Sequence, residues 1–188
     1  MTATARNGRE ATPAFLDAHR AGVTAHLFGD PLTHLLRTEA LVRAWGGSEL
    51  LAMAALGHAA YGTGGFEEHF LSTAERPALA AVIGNEAEAL VYFSASCDPD
   101  VFYPQLESGI GSAELSFRDR FTGACFTPAR DLVTHFVDFT YADEEEPAAS
   151  SPGGPAEWTW LADFRRRTRQ WATPGFTAGL GGLLGSDR

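Results

Sequence analysis

Residues 50–65, LLAMAALGHAAYGTGG, predict a buried helix that ends in a glycine-rich break. Leu51, Ala55 and His58 recur at helical spacing, so the imidazole lies on the apolar face of this helix, in its last turn. A buried imidazole needs a hydrogen-bonding or metal partner. His58 therefore requires polar partners from elsewhere in the chain.

Composition narrows both the fold and the chemistry. The chain has 188 residues, of which 45% are apolar, and this is typical of one compact domain. Its net charge of -10 disfavours nucleic acid and anionic membranes as partners. All cationic side chains are arginines, which excludes a catalytic lysine, a Schiff base and a phosphate-loop lysine. Cys97 and Cys125 form no C-x-x-C pair, so neither a disulfide framework nor a cysteine-rich zinc site is indicated.

The chain carries no recognisable targeting signal. The first ten residues, MTATARNGRE, lack the apolar core of a secretory signal, and no apolar run approaches the length of about 18 residues that spans a bilayer. We therefore expect a cytoplasmic protein that acts on a small-molecule substrate, with no nucleic-acid or membrane partner. The sequence does not indicate an oligomeric state.

Helix signals predict an all-α bundle of about six to seven helices, with a small hairpin near 113–126. The domain is expected to span 13–172, between flexible tails at 1–12 and 173–188. Asp30 and Pro31 begin the second helix, which ends at Gly46, and Ser48 caps the third. The remaining helices are expected at 13–28, 76–83, 85–96 (capped by Asn85), from Pro128 onward and at 157–172.

A second inward polar residue comes from the helix that begins near Pro128. Phe136, Phe139 and Asp143 follow one apolar stripe, so Asp143 points into the core and needs a metal, an arginine or a histidine. Asp138 lies about 140° away around the helix and is expected to be solvated. The helix is followed by the segment EEEPAASSPGGPAE, residues 144–157, whose acidic and small residues are typical of a loop. His34, at the edge of the apolar face of the second helix, supplies a third inward polar group.

These three positions resemble the HD-domain superfamily of metal-dependent enzymes. His34 lies on an early helix, His58 ends the next helix, and Ala142-Asp143 lies late in a distant helix. The segments HLLRTEALVRAWG, LGHAAYGT, VIGNEAEALVYF and TPARDLVTHFVDFTYADE resemble more narrowly an HD-like family whose middle motif is H-x-x-Y-G-T, over roughly residues 26–171. The resemblance implies a helical HD-like core.

The chain departs from the superfamily at its central motif. Ala59 occupies the place of the aspartate that follows the second histidine, which argues against a two-metal centre. Tyr61, Gly62 and Thr63 replace the acidic pair of the guanosine-tetraphosphate hydrolases, although this tripeptide is equally typical of a helix stop. What remains, two imidazoles and one carboxylate, is the ligand set of a site for one divalent metal, with iron favoured over manganese or zinc.

Further residues are candidates for the same site. Arg37 could bind an anionic substrate or pair with Glu39 or Glu49, and the arginine cluster at 165–169 is expected to be a solvated face. An additional ligand or proton-transfer group could come from His26, Tyr61, Glu86 or His69.

Three functions fit this pattern. The leading hypothesis is iron-dependent oxidation of a small organic molecule by a mononuclear centre. The second is metal-dependent hydrolysis of a phosphate ester or a similar substrate. The third is a metal-free binding or scaffold protein in which His34, His58 and Asp143 form a buried polar network.

Overall fold

The fold is helical. A computed structural model describes residues 3–19, 31–64, 69–150 and 158–178, and only the backbone of residues 3–7 and Ser150. In this part of the chain there are nine α-helices and one antiparallel hairpin, which confirms an all-α fold with a small hairpin and adds helices to the six to seven expected. The elements are α1 (Ala3–Ala18), α2 (Pro31–Ala44), α3 (Glu49–Gly57), α4 (Arg76–Ile83), α5 (Asn85–Ala95), α6 (Pro99–Glu107), β1 (Phe117–Arg118), β2 (Cys125–Phe126), α7 (Arg130–Ser150), α8 (Thr159–Thr168) and α9 (Pro174–Ala178).

Helix α3 lies at the centre of the molecule. Every side chain from Leu51 to Leu56 is buried, and a helix that is apolar all round must be covered on all sides. Helices α1, α2, α4, α5 and α7 all pack against it. A short 3-10 turn, His58–Tyr61, continues α3 and ends at Gly62, whose φ of +68° favours glycine. The predicted helix stop is therefore confirmed.

Local signals set the ends of several helices. Helix α2 is described from Pro31, with the predicted cap Asp30 outside the described residues, and Gly46, at φ +80°, follows its end. The Ser48 hydroxyl accepts the Leu51 N–H at 3.2 Å and caps α3 as predicted. Helices α4 and α5 match their predicted ranges within one residue, but the cap of α5 is Gly84 and Asn85 is its first helical residue.

An aromatic cluster joins the hairpin to the bundle. The rings of Phe93 and Phe117 stack with centroids 4.1 Å apart, and Phe102 and Phe136 pack edge-on against Phe93. Strand β1 pairs with β2 so that Phe117 faces Phe126. The hairpin thus covers one end of the core. Helix α6, in a segment for which the sequence analysis predicts no helix, buries Phe102 and Leu106 there as well.

The amino-terminal prediction is wrong for residues 3–12, which belong to helix α1 and not to a flexible tail. Pro13 lies inside α1 and does not begin it, and residues 20–28 of the expected first helix lie outside the described residues. Contacts with other helices compensate for the destabilising effect of a proline inside α1. Helix α1 packs against α3 and α4, and the Arg9 guanidinium binds both oxygens of the buried Glu39 at 2.7 and 3.0 Å.

Two carboxy-terminal predictions are also wrong. Helix α7 runs to Ser150 through Pro147, where a loop was expected, and residues 151–157 of that loop lie outside the described residues. Helix α9 falls in the expected tail, because Phe176 is buried against Trp45 at a ring distance of 5.5 Å; residues 179–188 lie outside the described residues. Along the described chain, no helix combines the length and apolar content needed to cross a bilayer.

Candidate metal centre

Three side chains from three helical segments converge on one point. His34 comes from α2, His58 from the turn after α3 and Asp143 from α7. The Nε2 atoms of the two histidines lie 3.2 Å apart, and Asp143 Oδ1 lies 3.0 Å from His34 Nε2 and 3.1 Å from His58 Nε2. Within the described residues, this is the group of histidine, cysteine and acidic side chains that could hold a metal ion.

The backbone fixes the orientation of His58. Its Nδ1 lies 2.7 Å from the carbonyl oxygen of Ala55, which can only accept, so Nδ1 carries the proton and donates. When Nε2 is unprotonated, the ring presents its lone pair to the other two residues. Phe139 packs against the imidazole at a centroid distance of 5.2 Å and supports the same orientation.

A carboxylate fixes His34 in the same way. Nδ1 of His34 donates to Glu146 Oε2 at 2.7 Å, while the other oxygen of Glu146 accepts from Arg37 at 3.2 Å. The Glu146 side chain is 6% exposed, so this contact is largely shielded from water. A carboxylate behind the distal nitrogen is the usual support of a metal-binding histidine.

The donor set fits a divalent metal ion. With both Nδ1 atoms donating elsewhere, His34 Nε2, His58 Nε2 and Asp143 Oδ1 direct lone pairs at one another. One proton on His34 can satisfy its contact with Asp143, and the contact between His58 and Asp143 then needs a further proton or a cation. A cation satisfies all three contacts. Three ligands on one face of an octahedron, with bonds of about 2.1 Å, lie roughly 3.0 Å apart, which matches the three distances.

Electrostatics couple these groups. Burial lowers the pKa of His34, but hydrogen bonds to Asp143 and Glu146 and their charges outweigh it and raise the pKa to about 9. Burial opposes ionisation of Asp143, yet the neighbouring histidines hold its pKa well below the ordinary value. Burial, followed by the charge of Asp143, raises the pKa of Glu144 to about 8.

A cavity of about 210 Å³ opens beside Asp143. Its wall combines aromatic rings, hydroxyl groups and the carboxyl groups of Asp143 and Glu144. Phe139 lines the cavity and also packs against His58, so the cavity adjoins the three converging side chains. A small molecule held there would lie next to the site.

Several predicted site residues have other positions. The Tyr61 hydroxyl donates to Glu88 at 3.0 Å, and burial together with the charge of Glu88 raises the pKa of Tyr61 well above its usual range. Glu86 is exposed on the first turn of α5 and lines a different cavity. His69 is exposed, and His26 lies outside the described residues.

Arg37 and Asp138 also depart from expectation. Arg37 pairs with Glu146, whereas Glu39 and Glu49 pair with Arg43. Asp138, expected to be solvated, is 1% exposed and accepts the backbone N–H of Thr173 at 2.9 Å. Burial raises the pKa of Asp138 to about 6. The face opposite the apolar stripe is covered by the carboxy-terminal segment, which helical periodicity alone does not reveal.

The sequence interpretation missed Glu144, Glu145 and Glu146. Glu146 follows Asp143 by three residues, a spacing that places both on one helix face and could have identified it. Glu145 pairs with Arg165, which is buried on α8 and not part of a solvated arginine face. All three lie where the helix predicted from Pro128 passes into the segment that was expected to be a loop.

Comparison with known proteins gives one family. Residues 15–99 match the model of a family described as a domain of unknown function (DUF6817). The matched range covers less than half of the chain; it contains His34 and His58 and ends before Asp143. Neither the curated proteins nor the solved structures give a match.

Proposed function

We propose that the chain is a mononuclear metal-dependent enzyme with an HD-like core, and that it oxidises a small organic molecule with iron. The observation that carries the proposal is the triangle of His34 Nε2, His58 Nε2 and Asp143 Oδ1, with sides of 3.0 to 3.2 Å. Two imidazoles and one carboxylate are the ligand set that non-haem oxygenases use to hold ferrous iron with open positions for oxygen and substrate. The metal and the reaction are parts of the proposal.

Each residue around the triangle has a definite task. Ala55 and Glu146 hold the two imidazoles in the tautomer that directs Nε2 inward. Phe139 excludes water from one side of His58 and forms part of the cavity wall. The adjoining cavity gives a substrate a place beside Asp143.

Metal content tests the proposal. Protein purified without chelators and reconstituted anaerobically with ferrous iron should bind one equivalent, and His58→Ala should lose it. His135→Ala is the matched control, because His135 lies on α7 but is not one of the three converging residues. Equal and substoichiometric iron in the wild type and in His58→Ala would refute a metal centre at this position.

Reactivity separates oxidation from hydrolysis. Oxygen consumption by the iron-loaded protein, screened over small organic molecules, supports oxidation. Phosphatase activity with manganese or zinc supports hydrolysis instead. No arginine is among the described residues that line the cavity and the chain has no lysine, so no side chain of the described lining is suited to bind a phosphate group.

A metal-free network is the second candidate. Because its pKa is raised to about 9, His34 can be an imidazolium ion. It then donates from Nδ1 to Glu146 and from Nε2 to Asp143, and the second proton takes the place of a metal. In that case His58→Ala lowers the free energy of unfolding by about 1 to 3 kcal/mol, as expected when a buried polar group loses its partner. Iron would then leave the thermal stability of the wild type unchanged, and this result separates the two candidates.

A further inference from the structure

We infer that the Tyr103 hydroxyl donates a hydrogen bond to an oxygen atom of the substrate in the cavity beside Asp143. The inference rests on the proposed function, because it assigns a substrate-binding residue to the same site. The position of the phenol, its hydrogen bonding and the size of the cavity support it.

The ring of Tyr103 is held in place by the core. Tyr103 belongs to helix α6 and lines the cavity. Its ring packs against Phe136 of α7 and Phe164 of α8, at centroid distances of 6.1 and 5.1 Å. Contacts with two other helices therefore fix the direction in which the phenol points.

The hydroxyl end of this ring reaches the cavity. Burial raises the pKa of Tyr103 well above its usual range, and three neighbouring ionisable groups raise it further: Cys97, Glu144 and Asp143. All three belong to the wall of the cavity, as does Thr140, the hydrogen-bonding neighbour of the hydroxyl. The phenol oxygen thus lies among the residues of the wall and remains a neutral donor at neutral pH.

Hydrogen bonding distinguishes Tyr103 from the other tyrosines of the chain. Their hydroxyls are bonded to polar side chains, Tyr61 to Glu88, Tyr92 to Asp119 and Tyr141 to Thr168. No carboxylate or carbonyl oxygen in the described part of the chain accepts the proton of Tyr103, whose hydroxyl has only Thr140 beside it. A hydroxyl carries one proton, so this proton can turn from Thr140 to an acceptor on a ligand.

The cavity is small enough for one ligand to reach both ends of the site. Its volume of about 210 Å³ equals the liquid volume of about seven water molecules at roughly 30 Å³ each. A molecule that fills this space contacts most of the wall, so it lies against Asp143 and Tyr103 at the same time. A hydrogen bond from the phenol would then orient the molecule toward the three converging side chains.

Two ring-shaped probes of nearly equal size test this inference. Cyclopentanone carries a carbonyl oxygen, and methylenecyclopentane carries a CH₂ group in its place. Their dissociation constants are measured by NMR titration on cobalt-loaded and on metal-free protein, and the ratio of the two constants isolates the effect of the oxygen. Tyr103→Phe should shift this ratio against cyclopentanone by about three- to tenfold, as expected for one neutral hydrogen bond. The affinity for methylenecyclopentane should stay within twofold, which shows that the shape of the cavity is kept.

Two variants serve as controls. Tyr92→Phe removes a phenol oxygen that bonds to Asp119 instead, so it should leave the ratio unchanged. Ser94→Ala removes another hydroxyl of the wall and should change the ratio less than Tyr103→Phe does. The inference is overturned if Tyr103→Phe changes the ratio by less than threefold, if Ser94→Ala changes it as much, or if the wild type binds neither probe.

Cobalt binding, read from the visible absorption spectrum of the same samples, separates this inference from the proposed function. If cobalt binds and Tyr103→Phe leaves the ratio unchanged, the role of Tyr103 is refuted and the metal centre stands. If cobalt does not bind, the proposed function fails, and the ratio on metal-free protein decides whether Tyr103 binds the oxygen of a ligand in the cavity.

Discussion

Replacing Glu146 by glutamine should weaken metal binding while the fold is retained. Glu146 accepts the Nδ1 proton of His34 at 2.7 Å, and its side chain is only 6% exposed. Glutamine keeps an acceptor for Nδ1 but loses the negative charge, and its amide group turns N–H donors toward Arg37. Removal of such a support typically costs a factor of 10 to 100 in metal affinity, or about 1.4 to 2.7 kcal/mol.

The assay is a cobalt titration followed by visible absorption, with circular dichroism and thermal melting as checks of the fold. Glu86→Gln is the matched control, because Glu86 is exposed and away from the site. Arg37→Ala should weaken binding less than threefold, since this side chain is 59% exposed and its ion pair is screened. The reasoning about Glu146 is refuted if Glu146→Gln binds cobalt within twofold of the wild type while His58→Ala loses it.

Three further substitutions test other parts of the structure. Tyr61→Phe should lower the free energy of unfolding in urea by about 1 kcal/mol and leave the cobalt affinity unchanged, since the hydroxyl donates to Glu88. Arg165→Ala should destabilise by about 3 to 5 kcal/mol in the same assay, because Glu145 is left buried without its partner. Asp138, with a native pKa of about 6, binds a proton more tightly in the folded than in the unfolded chain, so its contribution to wild-type stability should fall as the pH rises from about 4 to 6. Asp138→Asn should abolish this fall and add up to about 3 kcal/mol at pH 7; a variant whose urea midpoint follows the wild-type pH curve contradicts it.

Local sequence signals were sufficient to predict the two helices that position His34 and His58. Pro31, Gly46 and Ser48 act on the backbone within one turn, so the ends of α2 and α3 follow from the sequence alone. The periodicity of α3 then places His58 inside, and the same argument places Asp143 on the stripe of Phe139. Convergence of the three residues could be predicted because each faces the core of one small domain.

Elements held by distant contacts could not be predicted in this way. Helix α1 contains Pro13 and Gly8, which disfavour a helix locally, yet a Cβ atom at Gly8 would lie 2.7 Å from the carbonyl oxygen of Val82. Only the packing of α1 against α4 explains why glycine fits there. Phe176 likewise anchors α9 through Trp45, a partner more than one hundred residues away in the chain.

The acidic run at the end of α7 shows why composition alone predicted a loop where the chain is helical. Consecutive helical residues point about 100° apart, so the four neighbouring carboxyl groups of residues 143–146 meet three different environments. Asp143 and Glu146, three residues apart, share one face and contact the two nitrogens of the same imidazole, that of His34. Glu144 turns to the cavity and Glu145 to Arg165. Pro147 belongs to the same arrangement, because it cannot supply the N–H that the carbonyl of Asp143 would accept in a regular helix. The acidic run has the composition of a solvated loop but forms part of the wall of the candidate site. Only the positions of its partners on α2 and α8 distinguish these two structures.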